Sequence, residues 1–521
     1  MSARQRRRRK TRRREHVMRR KFAAAGGLTA GATLAMSGVA QAVPMTFTVG
    51  SLDDTLSASD CATPTNTDCT LRDAISAANL NTGADTIVFK TGLTGTITMA
   101  DDPQAIAEGV SIQGPGASQV TVDGDDTYRT FELETAIGDP VAISGLTLTN
   151  AYTQSSGAAI YNYGSDLTIA NSVITDSYAT DSSGGDSGNI GGGVYSNKGP
   201  VTLDHSTVSG NHGYYGGGVA SGTGNTTIMD SSVTDNYADG DQANSGNDGY
   251  GGGLWSDGAD LTVIRSTLYN NTAAYDGGGI YASDSSGSAV TIINSTIVDN
   301  HAANDDAGGV YDNGDGNMLT VISSTVSGNT AATDGGGLKA VNLDASPVLE
   351  NSIVSGNTSG TDPNTADLEA SGSYIFDTSF SLIGVPDVYV HETVPGSNLT
   401  GVDPQLGGLG NNGGPTETLL PATSSPVVDK GKAFNICEDQ RSLFRPVDLP
   451  DHSNSTAAGA DGSDMGAVEL QTSPSPGGAC PVPSSGGPPP PTKHKKKCKK
   501  KKHKRSAESA KKKKCKKKKK K

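Results

Sequence analysis

Three aspartates share one place in a repeating pattern. Asp276, Asp306 and Asp334 each stand four residues before an aliphatic residue, Ile280, Val310 and Leu338, that ends a glycine-rich segment. Stacked one strand spacing apart, about 4.8 Å, such carboxylates must share a cation, hold a proton or splay into water. The column therefore fits a calcium site, a paired-carboxylate enzyme or, most simply, solvated loops. A second column directly follows the same aliphatic position: Tyr161, Tyr195, Trp255, Tyr281 and Tyr311, with Ala220 and Lys339 in the other units. By strand alternation these side chains point away from the core. They could stack on sugars along a glycan, with Asp257, Asp284 and Asp312 bonding hydroxyls. The simpler reading is an aromatic ladder that stabilises the sheet under variable loops.

Other chemistry is missing. Of the body histidines, His205, His212, His301, His391 and His452, no two stand in one column of adjacent units, and no G-x-S-x-G occurs. The Gly-Gly-Gly triplets neither end in G-K-S/T nor open a helix, so they read as tight corners. No Cys/His spacing suggests zinc. Calcium is the one cofactor with a candidate site, and no catalytic residue is assigned.

The elements that position these columns are repeats. Seven units between about 143 and 360 are marked by Ser172, Ser206, Ser231, Ser266, Ser295, Ser324 and Ser352. Three residues before the serine stand Ile169, Leu203, Ile228, Val263, Ile292, Val321 and Leu349. Two after it stand Ile174, Val208, Val233, Leu268, Ile297, Val326 and Val354. An offset of five would place these two columns on opposite faces of a straight strand. Both must be buried, so the chain bends between them, near Asn294-Ser295 in one unit. With a third strand at the glycine-rich segment, three strands per coil predict an all-β, right-handed parallel β-helix solenoid. Five after the serine, Asn211, Asn236, Asn271, Asn300, Asn329 and Asn357 form a column that departs only at Ser177. Stacked amides at a corner bond from coil to coil, so this ladder is structural.

The open ends of such a column need caps. Thr70-Leu71-Arg72-Asp73 reads as a capping box before a short amphipathic helix, which predicts a cap and first strands over 43–100, repeats over 101–360 and a separate C-terminal region over 361–470. Residues 1–42 read as a signal peptide with a basic start, an Ala/Gly-rich run, a twin-arginine pattern at Arg19-Arg20-Lys21-Phe22 and cleavage after Ala42. Met18 is an alternative start. Export predicts a secreted or wall-associated product and permits a disulfide between Cys61 and Cys69. Cys437 with Cys480 is a weaker pair, and Cys498 and Cys515 lie in the tail. Residues 471–492 are a Pro/Gly/Ser linker, and 493–521 a Lys-rich tail that cannot bury a core and is expected to be disordered.

Charge follows the same division. The chain carries 42 Lys/Arg and 55 Asp/Glu, yet twelve of the cations fall in 1–21 and twenty in 493–521. The body between them is strongly acidic and should repel nucleic acid. No run of the body is apolar enough to span a membrane. The tail is expected to bind polyanions of the cell envelope.

Two segments carry a resemblance. Cys69-Thr70-Leu71-Arg72-Asp73-Ala74-Ile75-Ser76-Ala77-Ala78-Asn79 with Asp85-Thr86-Ile87-Val88-Phe89 resembles the opening of bacterial surface proteins whose β-helix repeats are related to those of polymorphic outer-membrane proteins. Gly401-Val402-Asp403-Pro404, Gly410-Asn411-Asn412-Gly413-Gly414-Pro415, Asp439-Gln440-Arg441, Arg445-Pro446 and Asp464-Met465-Gly466-Ala467-Val468-Glu469 are similar to the choice-of-anchor Q domain. Ser442 and Ser463 depart from its pattern. The resemblance implies a surface-displayed architecture and no particular reaction. β-Helices also include pectate lyases and polygalacturonases. The basic side chains that such lyases require are limited in the seven serine-marked units to Lys198, Arg265 and Lys339, and the Gly-His-Gly and Arg-Ile-Lys motifs of the hydrolases are absent. The resulting expectation is a non-catalytic surface protein, adhesin-like or binding extracellular glycans. The alternatives are a polysaccharide-active enzyme using acidic residues on the coil surface and a structural envelope protein.

Overall fold

The computed structural model describes residues 43–472, apart from 58–60, 64, 180–188, 241–247, 285–286, 315–317, 343–344, 372–373 and 386–388. The signal segment, most of the linker, the Lys-rich tail and Cys480, Cys498 and Cys515 lie outside the described residues.

The chain is a right-handed parallel β-helix with a single α-helix among the described residues. Four parallel sheets run the length of the column, here named A to D in the order the chain visits them, with 13, 12, 8 and 9 strands. One coil runs through Leu261–Ile264 in A, Thr267–Tyr269 in B, Thr272–Ala273 in C and Ile280–Asp284 in D. The sequence predicted three strands per coil. The fourth, in sheet C, is only two residues long, too short to leave an alternation.

Both expected bends are visible in the backbone. The residue before each register serine, Asn171, His205, Asp230, Arg265, Asn294, Ser323 and Asn351, is left-handed, with φ between 46° and 50°. A second left-handed column, Asp176, Gly210, Asp235, Asn270, Asp299, Gly328 and Gly356, precedes the asparagine position. Asn, Asp and Gly dominate because they tolerate that conformation. At the asparagines, Asn211, Asn236, Asn271, Asn300 and Asn329 each donate Nδ2 to the next residue's Oδ1 at 2.9–3.0 Å, and Asn357 donates to Asp367. Inside, the aliphatic columns are sealed: Val263, Ile292 and Val321 have no exposed surface.

The coil is longer than the repeats indicated. Thr46–Val49 already pairs with Asp85–Phe89 in sheet A, and Leu399–Thr400 still pairs with Leu382–Ile383 in sheet B. Helix α1, Leu71–Leu80, buries Leu71, Ala74, Ile75 and Ala78, and its start is the Thr70/Asp73 capping box. A disulfide joins Cys61 and Cys69.

Residues 401–470 are a strap laid over sheet B. Gln440 Nε2 donates to Thr267 Oγ1, Thr296 donates to Gln440 Oε1, and Ala467 N donates to Thr325 Oγ1. Within it, Arg445 and Glu469 form an ion pair with no exposed surface. Asp439 accepts Arg441, and Asp464 accepts the backbone of Asp429 and Leu470. The C-terminal motif residues therefore build a buried polar lock.

Candidate functional site: a carboxylate–lysine cluster at the end of a ring ladder

Sheet D carries one outward column in strand register: Glu132, Tyr161, Tyr195, Ala220, Trp255, Tyr281, Tyr311, Lys339 and Glu369. The rings face one another. Tyr281 and Tyr311 lie 5.3 Å apart and nearly parallel, at 6°. Tyr250 stacks on Tyr281, and Tyr215 bridges Tyr250 and Trp255, filling the gap left by Ala220. Tyr281 and Tyr311 are consequently buried, at 8% and 9% exposure. Tyr161 and Tyr195 are half-buried and tilted at 46°, and Arg129 covers Tyr161. Rings stacked face to face cover the surfaces that a sugar would use. Of the three aspartates expected to help them, Asp257 is exposed. Asp312 is fully buried, because alternation turns it into the coil. The side chain of Asp284 lies outside the described residues.

The aspartate column meets the ladder at its C-terminal end. Asp306 N donates to Asp276 Oδ1 at 2.9 Å, and Asp334 N donates to Asp306 Oδ1 at 3.1 Å. Asp276 and Asp306 thus each accept the backbone of the next coil, which offsets part of the repulsion between them. Thr361 and Thr365 donate to Asp334. Lys339 supplies the remaining charge: its Nζ lies 2.6 Å from Asp306 Oδ2 and 2.8 Å from Glu369 Oε2. Carboxylate oxygens of Asp276, Asp305 and Asp306 lie within 4.8 Å of one another, as do those of Asp306, Asp334 and Glu369. Five carboxylates and one ammonium from four successive coils converge here.

Their titration diverges. Burial pushes the Asp276 carboxyl up to about 7. Burial also raises Glu369, with Lys339 opposing it. Burial by itself would lower Lys339, but hydrogen bonds and charge from Asp306 and Glu369 outweigh it, so the ammonium is held more firmly than usual.

The sequence reading placed Asp276, Asp306 and Asp334 together but missed Asp305, Glu369, Tyr215 and Tyr250 and gave Lys339 no role. Lys339 was legible as the residue continuing the ring column one coil beyond Tyr311. Glu369 was not, because its strand, Leu368–Ala370, lies beyond the last serine-marked unit. A second group, Asp204, His205 and Asp230, sits at a corner where only His205 is exposed and Arg265 forks onto the buried Asp230. On sheet C, Tyr152, Tyr178, His212 and Tyr237 form another outward row, with Tyr178 stacked on His212 at 4.5 Å.

Residues 136–326 match the family described as "Right handed beta helix region". No curated protein matches the chain. Among solved structures, pectate lyase Pel9A is similar at 14% identity and a TM-score of 0.47, over 82% of this chain and 98% of that one. A mannuronic acid specific polysaccharide family 6 lyase from human gut microbiota aligns at 8% identity and 0.27, over 61% and 81%. The mannuronan C-5 epimerase AlgE4 A-module of Azotobacter vinelandii aligns at 13% and 0.23, over 62% and 93%. At these identities and scores the likenesses carry no statement about activity.

Proposed function

We propose that this is an exported, envelope-associated β-helix that hydrolyses a neutral polysaccharide at the carboxylate cluster of sheet D. The observation that carries the reading is the convergence of Asp276, Asp305, Asp306, Asp334 and Glu369 on one face, with Asp276 holding a proton near neutrality. Environments that split carboxyl titrations provide an acid and a base at one pH. Asp276 is the general acid and Asp305 the facing carboxylate, close enough for the retaining geometry of about 5 Å between carboxyl groups. Lys339 is poorly suited to act as the base of an elimination, because Asp306 and Glu369 hold it charged. The acidic body disfavours polyanionic chains. The test is a panel of neutral and acidic polysaccharides with the secreted protein. New reducing ends on a neutral glycan, lost in Asp305→Asn, are expected. Release on none, or an unsaturated product absorbing in the ultraviolet, overturns the reading.

A non-catalytic, adhesin-like reading is favoured by the sheet C row, where Tyr178 is 36% exposed. Binding on a glycan array without turnover, weakened by Tyr178→Ala and Tyr237→Ala, is its signature. For attachment, we propose that the choice-of-anchor Q-like strap and the Lys-rich segment 493–521 make a surface-display end, the lysines gripping envelope polyanions. Retention on isolated cell walls should fall with salt and with truncation after Pro491. Retention indifferent to both rejects it.

A further inference from the structure

We propose that Lys339 and Asp306 become joined by an intramolecular amide bond, Nζ to Cγ, with Glu369 as the proton relay. The inference stands apart from the hydrolytic reading. It removes one ammonium and one carboxylate together and leaves Asp276 and Asp305 free.

The geometry supplies each part of an acyl transfer. The nucleophile is Lys339 Nζ, 2.6 Å from Asp306 Oδ2. The other oxygen, Oδ1, accepts the Thr333 hydroxyl and the Asp334 N–H, two donors placed as in an oxyanion hole. Glu369 Oε2 lies 2.8 Å from the same nitrogen. The three side chains are only 8%, 16% and 14% exposed, so competing water is largely excluded. Strand register fixes the partners: Lys339 pairs with Glu369 on the next coil, and Asp306 leads into the strand, Val310–Gly314, that precedes Lys339 in sheet D. Reactants held this way react as one molecule.

The step balances without any oxidant. An ammonium proton passes to Glu369. Glu369 hands it on to Asp306 Oδ2, so that the neutral amine attacks a neutral carboxyl at Cγ while Thr333 and Asp334 hold Oδ1. The Oδ2 hydroxyl then leaves with a second proton from the nitrogen as water. One C–O bond breaks, one C–N bond forms, and Glu369 is regenerated. Burial raises the Glu369 carboxyl, which suits it to hold the proton in transit. The ammonium is the favoured resting form, so the reaction is a slow, single event after folding. The product ties coil to coil covalently.

The sequence provides a direct assay. Between Arg265 and Lys430 the only Lys or Arg is Lys339. Trypsin acting on the denatured, reduced protein therefore yields either two peptides, 266–339 and 340–430, or one. The expected result is a single 266–430 peptide lighter by one water, with fragmentation joining Lys339 to Asp306. Glu369→Gln and Lys339→Arg should restore full mass and cleavage after residue 339, with folding checked by circular dichroism. Two wild-type peptides of full mass overturn the proposal. So does loss of water with cleavage at Lys339, which indicates cyclisation at an Asp-Gly pair such as Asp276-Gly277.

Discussion

Lys339 occupies, one coil on, the register position of Tyr311, so the ring ladder ends in an ammonium set between Asp306 and Glu369. That one side chain answers the charge of a carboxylate column that otherwise calls for a cation. Lys339→Ala should destabilise the protein by about 3 kcal/mol, because it removes both the cation between the largely buried Asp306 and Glu369 and the covalent link proposed above. It should also make melting respond to calcium, whereas the wild-type melting temperature stays fixed across a calcium titration. A calcium shift in the wild type contradicts this.

Asp276 sets a pH dependence. Its carboxyl rises from 3.8 to about 7 on folding. The folded state therefore binds more protons across that window, and stability falls as pH rises through it. Burial also raises the neighbouring carboxyls Asp464 and Glu469, with Arg445 opposing the rise, and they act in the same direction. Melting temperature should be higher near pH 5 than near pH 8. Asp276→Asn should flatten part of the slope, which for one carboxyl is at most about 1.4 kcal/mol for each pH step of one.

The ladder should behave as packing. Tyr281→Ala removes a ring held between Tyr250 and Tyr311 and should cost about 3–5 kcal/mol. Tyr161→Ala, at the half-exposed end, should cost clearly less in the same urea titration. Equal costs would contradict the stacking gradient.

Asn300→Ala should break the corner ladder at its middle. Asn300 bonds Leu268 O and Asn329 Oδ1 and accepts Asn271. Each buried group left unpaired costs about 1–3 kcal/mol. Hydrogen exchange should accelerate first in the coils carrying Asn271 and Asn329.

Arg445→Met should release the strap. Glu469 would be left buried without its cation, a loss of about 3–5 kcal/mol. Limited proteolysis should then cut within 401–470 while the coil keeps its circular dichroism.

The coil was legible because its determinants are columns. Aliphatic positions, the serine and the asparagine each recur, and the left-handed corners select Asn, Asp and Gly. The sheet C strands were not legible, since two residues cannot show a period. The cluster was half legible for a related reason. Asp276, Asp306 and Asp334 repeat, whereas Asp305, Lys339 and Glu369 each occur once and meet only through register. The strap motifs were visible, but their burial was not. Asp439, Arg441, Arg445 and Glu469 look exposed by type, and only the pairing of Asp439 with Arg441 and of Arg445 with Glu469 makes a buried position tolerable.

The strap also makes the column countable. It touches Arg265 and Thr267 through Thr416 and Glu417, Asn294 and Thr296 through Glu438 and Gln440, Thr325 through Ala467, and Asn351 through Asp464. These are four successive coils read by one segment of fixed length. Gaining or losing a coil between Thr267 and Asn351 would shift every later contact by about 4.8 Å, more than a hydrogen bond tolerates. Loops can lengthen without penalty, but the number of coils beneath the strap cannot drift. The segment that closes the fold thus serves as its gauge, which keeps the carboxylate cluster at a constant place along the column.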